Sequence, residues 1–175
     1  DLHGGTPSGT MPHSMILLFG DTLRAVLAFD KHMAADVPRV ALVDTFRDEA
    51  QESVEIARSL KRKLRGIRLD TPKERGGVTP SMVFEIQSRL RNEGFDNVDI
   101  YVSGGLNPER IAEFVESNAP VIGFGVGNFI ASASPLSFTA DIKAIQSDKL
   151  KSDFSNVDDV DQIIENFIPI SKRGR

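Results

Sequence analysis

Residues 39–71, RVALVDTFRDEAQESVEIARSLKRKLRGIRLDT, read as one strand–helix–strand unit. Arg39 to Val43 is a short β-branched run bounded by Pro38, and Gly66 to Leu69 is a second. Between them Ala50, Val54, Ala57 and Leu64 fall on one stripe of a helix expected over Asp48 to Leu64, acids early and Lys61, Arg62 and Lys63 late, as the helix dipole favours. Working outward, Val98 to Val102, Val121 to Phe124 and Phe138 to Ile145 repeat the strand pattern, each about one helix and two loops after the last. Thr79-Pro80 and Asn107-Pro108 each set a capping side chain before a proline at the first helical position, and Gly94 stops the helix that Thr79 starts. Pro12 to Met33 reads as helical with a break at Gly20-Asp21, where Asp21 caps a second segment. Short apolar strands alternating with amphipathic helices are the signature of βαβ units, so the expected fold class is α/β with parallel strands. Beyond these lie an acidic stretch, Asp148 to Asp161, and apolar Ile163, Ile164, Phe167 and Ile168, expected as a loop, a short helix and an exit strand. The expected division is 1–147 as an α/β unit carrying the active-site loops and 148–175 as an extension.

Composition narrows the chemistry. There is no cysteine, which excludes a disulfide framework, a thiolate metal site and a cysteine nucleophile. The net charge of −4 gives no global reason to expect nucleic acid or an anionic membrane as partner. The longest apolar run, Met15 to Phe19, is far below the roughly 20 residues of a spanning helix, and no signal sequence opens the chain. The expectation is a soluble, cytoplasmic protein. The chain starts at Asp1 within a turn-rich stretch and stops after Lys172-Arg173-Gly174-Arg175, which suggests a piece of something longer.

Parallel α/β folds bind ligands at the carboxyl ends of their strands, so the residues just after each strand are the informative ones. After the first comes Asp44-Thr45-Phe46. The second ends Arg68-Leu69-Asp70-Thr71 and opens a loop with Lys73, Arg75, Gly76 and Gly77. After the third comes Ser103-Gly104-Gly105-Leu106, and after the fourth Gly125-Val126-Gly127-Asn128. Glycine turns let the backbone approach a phosphate and offer it N–H groups, and two such turns on successive strands make a phosphate site the better reading. Asp44 and Asp70 are candidates for ribose hydroxyls or magnesium, against the plainer role of helix caps. Arg68, inside a strand, wants an anion or a neighbouring acid.

Of the three histidines, His32 lies at a helix end beside Lys31 and His3 in the opening loop. His13 follows the loop Gly4 to Thr10 and stands at the amino end of a helix, where an anion is favoured. It is either a nucleophile toward phosphorus or a cap or spectator.

Gly9-Thr10-Met11-Pro12-His13-Ser14, Val43-Asp44-Thr45-Phe46, Arg68-Leu69-Asp70-Thr71, Val102-Ser103-Gly104-Gly105-Leu106 and Gly125-Val126-Gly127, in that order and spacing, resemble nicotinate phosphoribosyltransferase of the type II phosphoribosyltransferase group. The resemblance runs from about Thr6 to Lys143 and corresponds to the later part of the family's polypeptide. It implies part of an incomplete (β/α) barrel, and transfer of phosphoribose from phosphoribosyl pyrophosphate to nicotinate, giving nicotinate mononucleotide and pyrophosphate. It further implies coupling to ATP hydrolysis through a phosphohistidine at His13, with Mg2+ at Asp44 and Asp70. By the same resemblance Asp70 lies near the ribose hydroxyls and Asp44 lines the phosphoribosyl pyrophosphate or metal site. Arg68 is matched to the pyridine carboxylate, with Thr10, Ser14 and Thr45 as further substrate contacts. Ser103, Gly104, Gly105, Gly125 and Gly127 match the 5'-phosphate turns. The implied partners are a missing amino-terminal part of the same protein and a second copy, in a homodimer or larger assembly.

Two alternatives stay open. Quinolinate phosphoribosyltransferase shares the fold, needs neither ATP nor phosphohistidine, and must hold a second carboxylate. A non-catalytic phosphate-binding module would use the same glycine turns without turnover. A piece of this length is expected to leave an open sheet edge and to be inactive alone.

Overall fold

The computed structural model describes residues 11–134 and two short strands beyond them. Helices α1 (His13–Phe19) and α2 (Thr22–His32) precede strand β1 (Arg39–Leu42); α3 (Glu49–Leu60), β2 (Leu64–Leu69), α4 (Pro80–Asn92), β3 (Asp99–Val102), α5 (Pro108–Glu116), β4 (Gly123–Phe124) and α6 (Asn128–Ala131) follow. The strands form one parallel sheet in the order β1-β2-β3-β4. Sequential order without a reversal is that of a barrel wall; a doubly wound sheet changes direction at a switch point. The fold is therefore α/β, part of an incomplete (β/α) barrel.

The helix starts are locally encoded. Asp21 accepts from the Arg24 N–H at 2.9 Å, Asp48 from the N–H groups of Ala50 and Gln51, each at 3.0 Å, Thr79 from Met82 at 3.2 Å and Asn107 from Arg110 at 2.9 Å. Each cap satisfies a donor that the first turn leaves free. Arg39, buried at the amino end of β1, bonds Asp30 and the carbonyls of Asp30, Met33, Ala34 and Val37, clamping the end of α2 to the sheet.

Register sorts the side chains. Leu42, Arg68, Tyr101 and Gly123 are paired across the sheet and share one face. Ala41, Ile67, Leu69, Ile100 and Val102 turn the other way, into one core with Ala50, Ile56 and Ala57 of α3, Val83, Ile86 and Leu90 of α4 and Phe114 of α5. The ladder continues past the strand ends: Val43 N–H donates to the Arg68 carbonyl, Ser103 to Leu69 and Gly125 to Val102. Two residues beyond the paired layer, and so on the same face, stand Asp44, Asp70, Ser103 and Gly125.

Several expectations are corrected. The helix expected to reach Leu64 ends at Leu60, because Lys61 takes a positive φ of 52° and Lys61–Lys63 form a 3₁₀ turn. Leu64, expected on the helix stripe, is the buried first residue of β2. β4 is only Gly123–Phe124, and α6 follows it unannounced. The fifth parallel strand expected over Phe138 to Ile145 is replaced, where described, by β5 (Ala144–Gln146), which pairs antiparallel with β6 (Phe167–Pro169) in a separate two-stranded sheet. Residues 138–143 of that expectation, and the loop and short helix expected after Asp148, lie outside the described residues. The chain divides into compact units at 1–133 and 134–175. Among the described residues no helix is long and apolar enough to cross a membrane.

Candidate functional site

The site is the layer in which β1, β2, β3 and β4 hand over to their loops. Met11 is buried and its carbonyl accepts from Arg68 Nη2 at 3.1 Å, which fastens the segment before α1 onto β2. Pro12 then opens α1, and His13, its first residue, projects between two carboxylates. His13 Nε2 lies 3.1 and 3.2 Å from the two oxygens of Asp44, and Nδ1 lies 3.6 Å from Asp70 Oδ2. Asp70 is fixed from its other side, where Ser103 Oγ donates to Oδ1 at 2.7 Å. Two strand ends and a helix start thus meet at one imidazole, and a third strand end braces Asp70.

Asp44 is buried, with a side chain only 1% exposed. Burial pushes its carboxyl above the ordinary range; the His13 hydrogen bond and charge oppose that rise, while Asp70 and Glu49 add to it. Neither aspartate is a helix cap, since Asp48 caps α3 and Thr79 caps α4. One oxygen from each carboxylate and one imidazole nitrogen lie within 4.8 Å of one another, a set that could hold a divalent ion.

Below this cluster opens a cleft of about 760 Å³, lined by Arg68, Asp70, Lys73 and both glycine turns. Gly104 takes φ 91°, and a Cβ there would stand 3.2 Å from Asp70 Oδ1; glycine is what lets the turn fold against the carboxylate. At Gly125 a Cβ would sit 2.9 Å from the Cβ of Ser103, so the β3 and β4 turns touch only because that residue has no side chain. Among the described residues the N–H groups of Gly104, Gly105 and Gly127 donate to no protein acceptor. Arg68 forms no ion pair there either, and its Nε is buried without a partner. Its partner among the described residues is the Met11 carbonyl.

The other expected contacts divide. Thr45 is half-buried beside Asp44, its Oγ1 buried without a partner; Ser14 is exposed; Thr10 lies outside the described residues. Sequence reasoning missed a support layer beneath the site. Glu49 Oε1 accepts from Thr71 Oγ1 at 2.8 Å and pairs with Arg75 Nη2 at 3.3 Å, while Arg75 Nη1 donates to the Asp44 carbonyl at 3.0 Å. Glu49 is buried despite its charge, yet on the helical pattern it is one more first-turn acid. Only its place one residue after a capping aspartate, at the strand-end level, could have marked it.

Comparison with known proteins places the chain in a family. The chain is 32% identical over 132 residues to nicotinate phosphoribosyltransferase pncB2 of Mycobacterium tuberculosis, an alignment covering 74% of this chain and 27% of that protein. Its fold is similar to the crystal structure of nicotinate-nucleotide pyrophosphorylase from Pyrococcus furiosus, with a TM-score of 0.70 and 45% identity, over 77% of this chain and 34% of that one. The chain thus spans about a quarter to a third of the length of these relatives. Residues 6–141, which hold the four strand-end motifs and the Gly9–Ser14 segment before them, match the model of the quinolinate phosphoribosyl transferase C-terminal domain, and it is to that family that the chain belongs.

Proposed function

We propose that the whole protein transfers phosphoribose from phosphoribosyl pyrophosphate to nicotinate, giving nicotinate mononucleotide and pyrophosphate, and couples the transfer to ATP hydrolysis through a phosphohistidine at His13. The single observation that carries this reading is His13 held between Asp44 and Asp70, the latter also lining the glycine-turn cleft. An ionised Asp44 can only accept, so it favours a proton on Nε2, and Nδ1, which faces Asp70 Oδ2 at 3.6 Å, is the nitrogen proposed to attack once it is unprotonated. The Nδ1–phosphorus bond forms as the bond from the γ-phosphorus of ATP to ADP breaks. Hydrolysis of the phosphohistidine later returns the imidazole.

In the transfer itself the pyridine nitrogen attacks the anomeric carbon while pyrophosphate leaves. The chain need form no bond to the ribose; its tasks are alignment and charge stabilisation. Ser103, Gly104, Gly105, Gly125 and Gly127 are assigned to the 5'-phosphate, Arg68 to the carboxylate of nicotinate, Asp70 to the ribose hydroxyls, and Thr10, Ser14 and Thr45 to the substrate near His13. Magnesium, proposed to arrive with phosphoribosyl pyrophosphate, would neutralise the leaving pyrophosphate. It takes oxygen ligands, which fits Asp70 Oδ2 directly and Asp44 only in exchange for the bond to His13. A further, amino-terminal part of the same protein and a second copy of it are proposed to complete the site in the cytoplasm.

Quinolinate is the second reading, favoured by the matched family model. His13 separates the two. His13→Ala in the whole protein is expected to abolish ATP hydrolysis and leave slow, uncoupled synthesis of nicotinate mononucleotide. An unchanged ATPase rate would remove His13 from this role.

A further inference from the structure

We infer that Lys73 is a binding residue for a phosphate monoester, the cation that meets a phosphate seated on the Gly104–Gly105 turn. The inference rests on the proposed function for its substrate and on the loop after β2 for its geometry. A lysine on an exposed loop is ordinarily a solvated charge. This loop, however, is held at three points around the lysine. Thr71 Oγ1 is fixed to buried Glu49 at 2.8 Å. Arg75 reaches Glu49 at 3.3 Å and the Asp44 carbonyl at 3.0 Å. Arg110 of α5 donates to the Val78 carbonyl at 2.6 Å and lies 3.8 Å from where a Cβ on Gly77 would be. The 3₁₀ turn Lys73–Arg75 is thus fastened at the cleft mouth, to the end of β1 and to the helix that follows the β3 turn.

From there the Lys73 stem reaches the glycine turn. Its Cε lies 3.4 Å from where a Cβ on Gly105 would stand, so the ammonium group is delivered beside N–H groups that have no acceptor among the described residues. Lys73 makes no ion pair among those residues. Of the two carboxylates on the cleft, Asp70 is engaged by Ser103 and His13, and Glu74 is the neighbour of Lys73 on the turn. Backbone N–H donors with a mobile point charge above them form a site for the dianionic, tetrahedral group of a phosphate monoester.

The test uses the whole protein with ribose 5-phosphate and phosphoribosyl pyrophosphate as probes. Lys73→Ala is expected to weaken calorimetric binding of ribose 5-phosphate, and to raise KM for phosphoribosyl pyrophosphate, by about ten- to a hundredfold, the range for a hydrogen bond to a charged group. Lys73→Arg should recover most of that loss, and KM for the pyridine substrate should stay within about twofold of wild type. Glu74→Ala, at the adjacent position, should bind ribose 5-phosphate at least as well as wild type. Wild-type binding by Lys73→Ala overturns the inference, as does a loss confined to quinolinate, which would assign the lysine to a pyridine carboxylate. An equal loss of both substrates also overturns it, by making Lys73 a prop for the loop. Because ribose 5-phosphate binding needs no turnover, the lysine assignment stands or falls separately from nicotinate as substrate.

Discussion

Gly125→Ala adds one methyl group at the point where the β3 and β4 turns meet. The new Cβ would stand 2.9 Å from the Cβ of Ser103, whereas carbon atoms settle at about 3.5–4.0 Å. Relief therefore requires a relative movement of about 0.6–1.1 Å. Gly125 N–H is bonded to the Val102 carbonyl at 2.8 Å, so the movement passes to Ser103, whose hydroxyl holds Asp70 at 2.7 Å. Overpacking of this kind costs about 1–3 kcal/mol of stability. Misplacing aligned groups by about 1 Å costs on the order of a hundredfold in rate. The variant should melt below wild type by that margin and lose about a hundredfold in kcat/KM for phosphoribosyl pyrophosphate. Adding Ser103→Gly removes the clashing carbon and should restore most of the stability without the rate, because Asp70 then lacks its hydroxyl partner. Wild-type kinetics in Gly125→Ala, or full kinetic recovery in the double variant, would refute the coupling of the two turns to Asp70.

Two further predictions concern charges away from the cleft. Arg39→Met leaves Asp30 and four backbone carbonyls without the guanidinium, and is expected to cost about 3 kcal/mol in denaturant unfolding; a loss below about 1 kcal/mol would show that the clamp is ornamental. Glu52 is buried, its Oε1 accepting from Thr22 at 2.7 Å and its Oε2 unpartnered among the described residues, and burial pushes its carboxyl upward. A carboxyl raised on folding binds its proton more tightly in the native state, so its stabilising contribution is present below the unfolded glutamate value of about 4.3 and is lost as pH rises through the native one. Glu52→Gln should therefore gain stability relative to wild type by more at pH 8 than at pH 4, and an advantage that shrinks with rising pH would contradict the assignment.

How much of this was legible in the sequence follows from the range of each interaction. The caps at Asp21, Thr79 and Asn107 were readable because a cap spans three residues. The strand ends were readable because a buried parallel strand is a short apolar run closed by polar residues. Leu64 was misplaced because it continues the apolar stripe of α3, and periodicity cannot see the backbone reversal at Lys61. The strand expected from Phe138 fails for a related reason: an apolar run does not name its partner, and Ala144–Gln146 pairs with Phe167–Pro169. His13, Asp44 and Asp70 were each singled out, yet their meeting spans 31 and 57 positions and needs the register of the sheet. Counting two residues on from the paired layer Leu42, Arg68, Tyr101 and Gly123 gives Asp44, Asp70, Ser103 and Gly125 together. Glu49, Thr71 and Arg75 carried no such mark, because their role lies entirely in long-range contacts.

The most direct measurement is the pyridine nucleotide formed by the whole protein from phosphoribosyl pyrophosphate, with nicotinate or quinolinate, with and without ATP. Nicotinate should give nicotinate mononucleotide at a rate that rises with ATP, with acid-labile phosphate on His13 during turnover. Product from quinolinate alone, indifferent to ATP, would contradict it and leave His13 as a residue that only holds Asp44 and Asp70 in place.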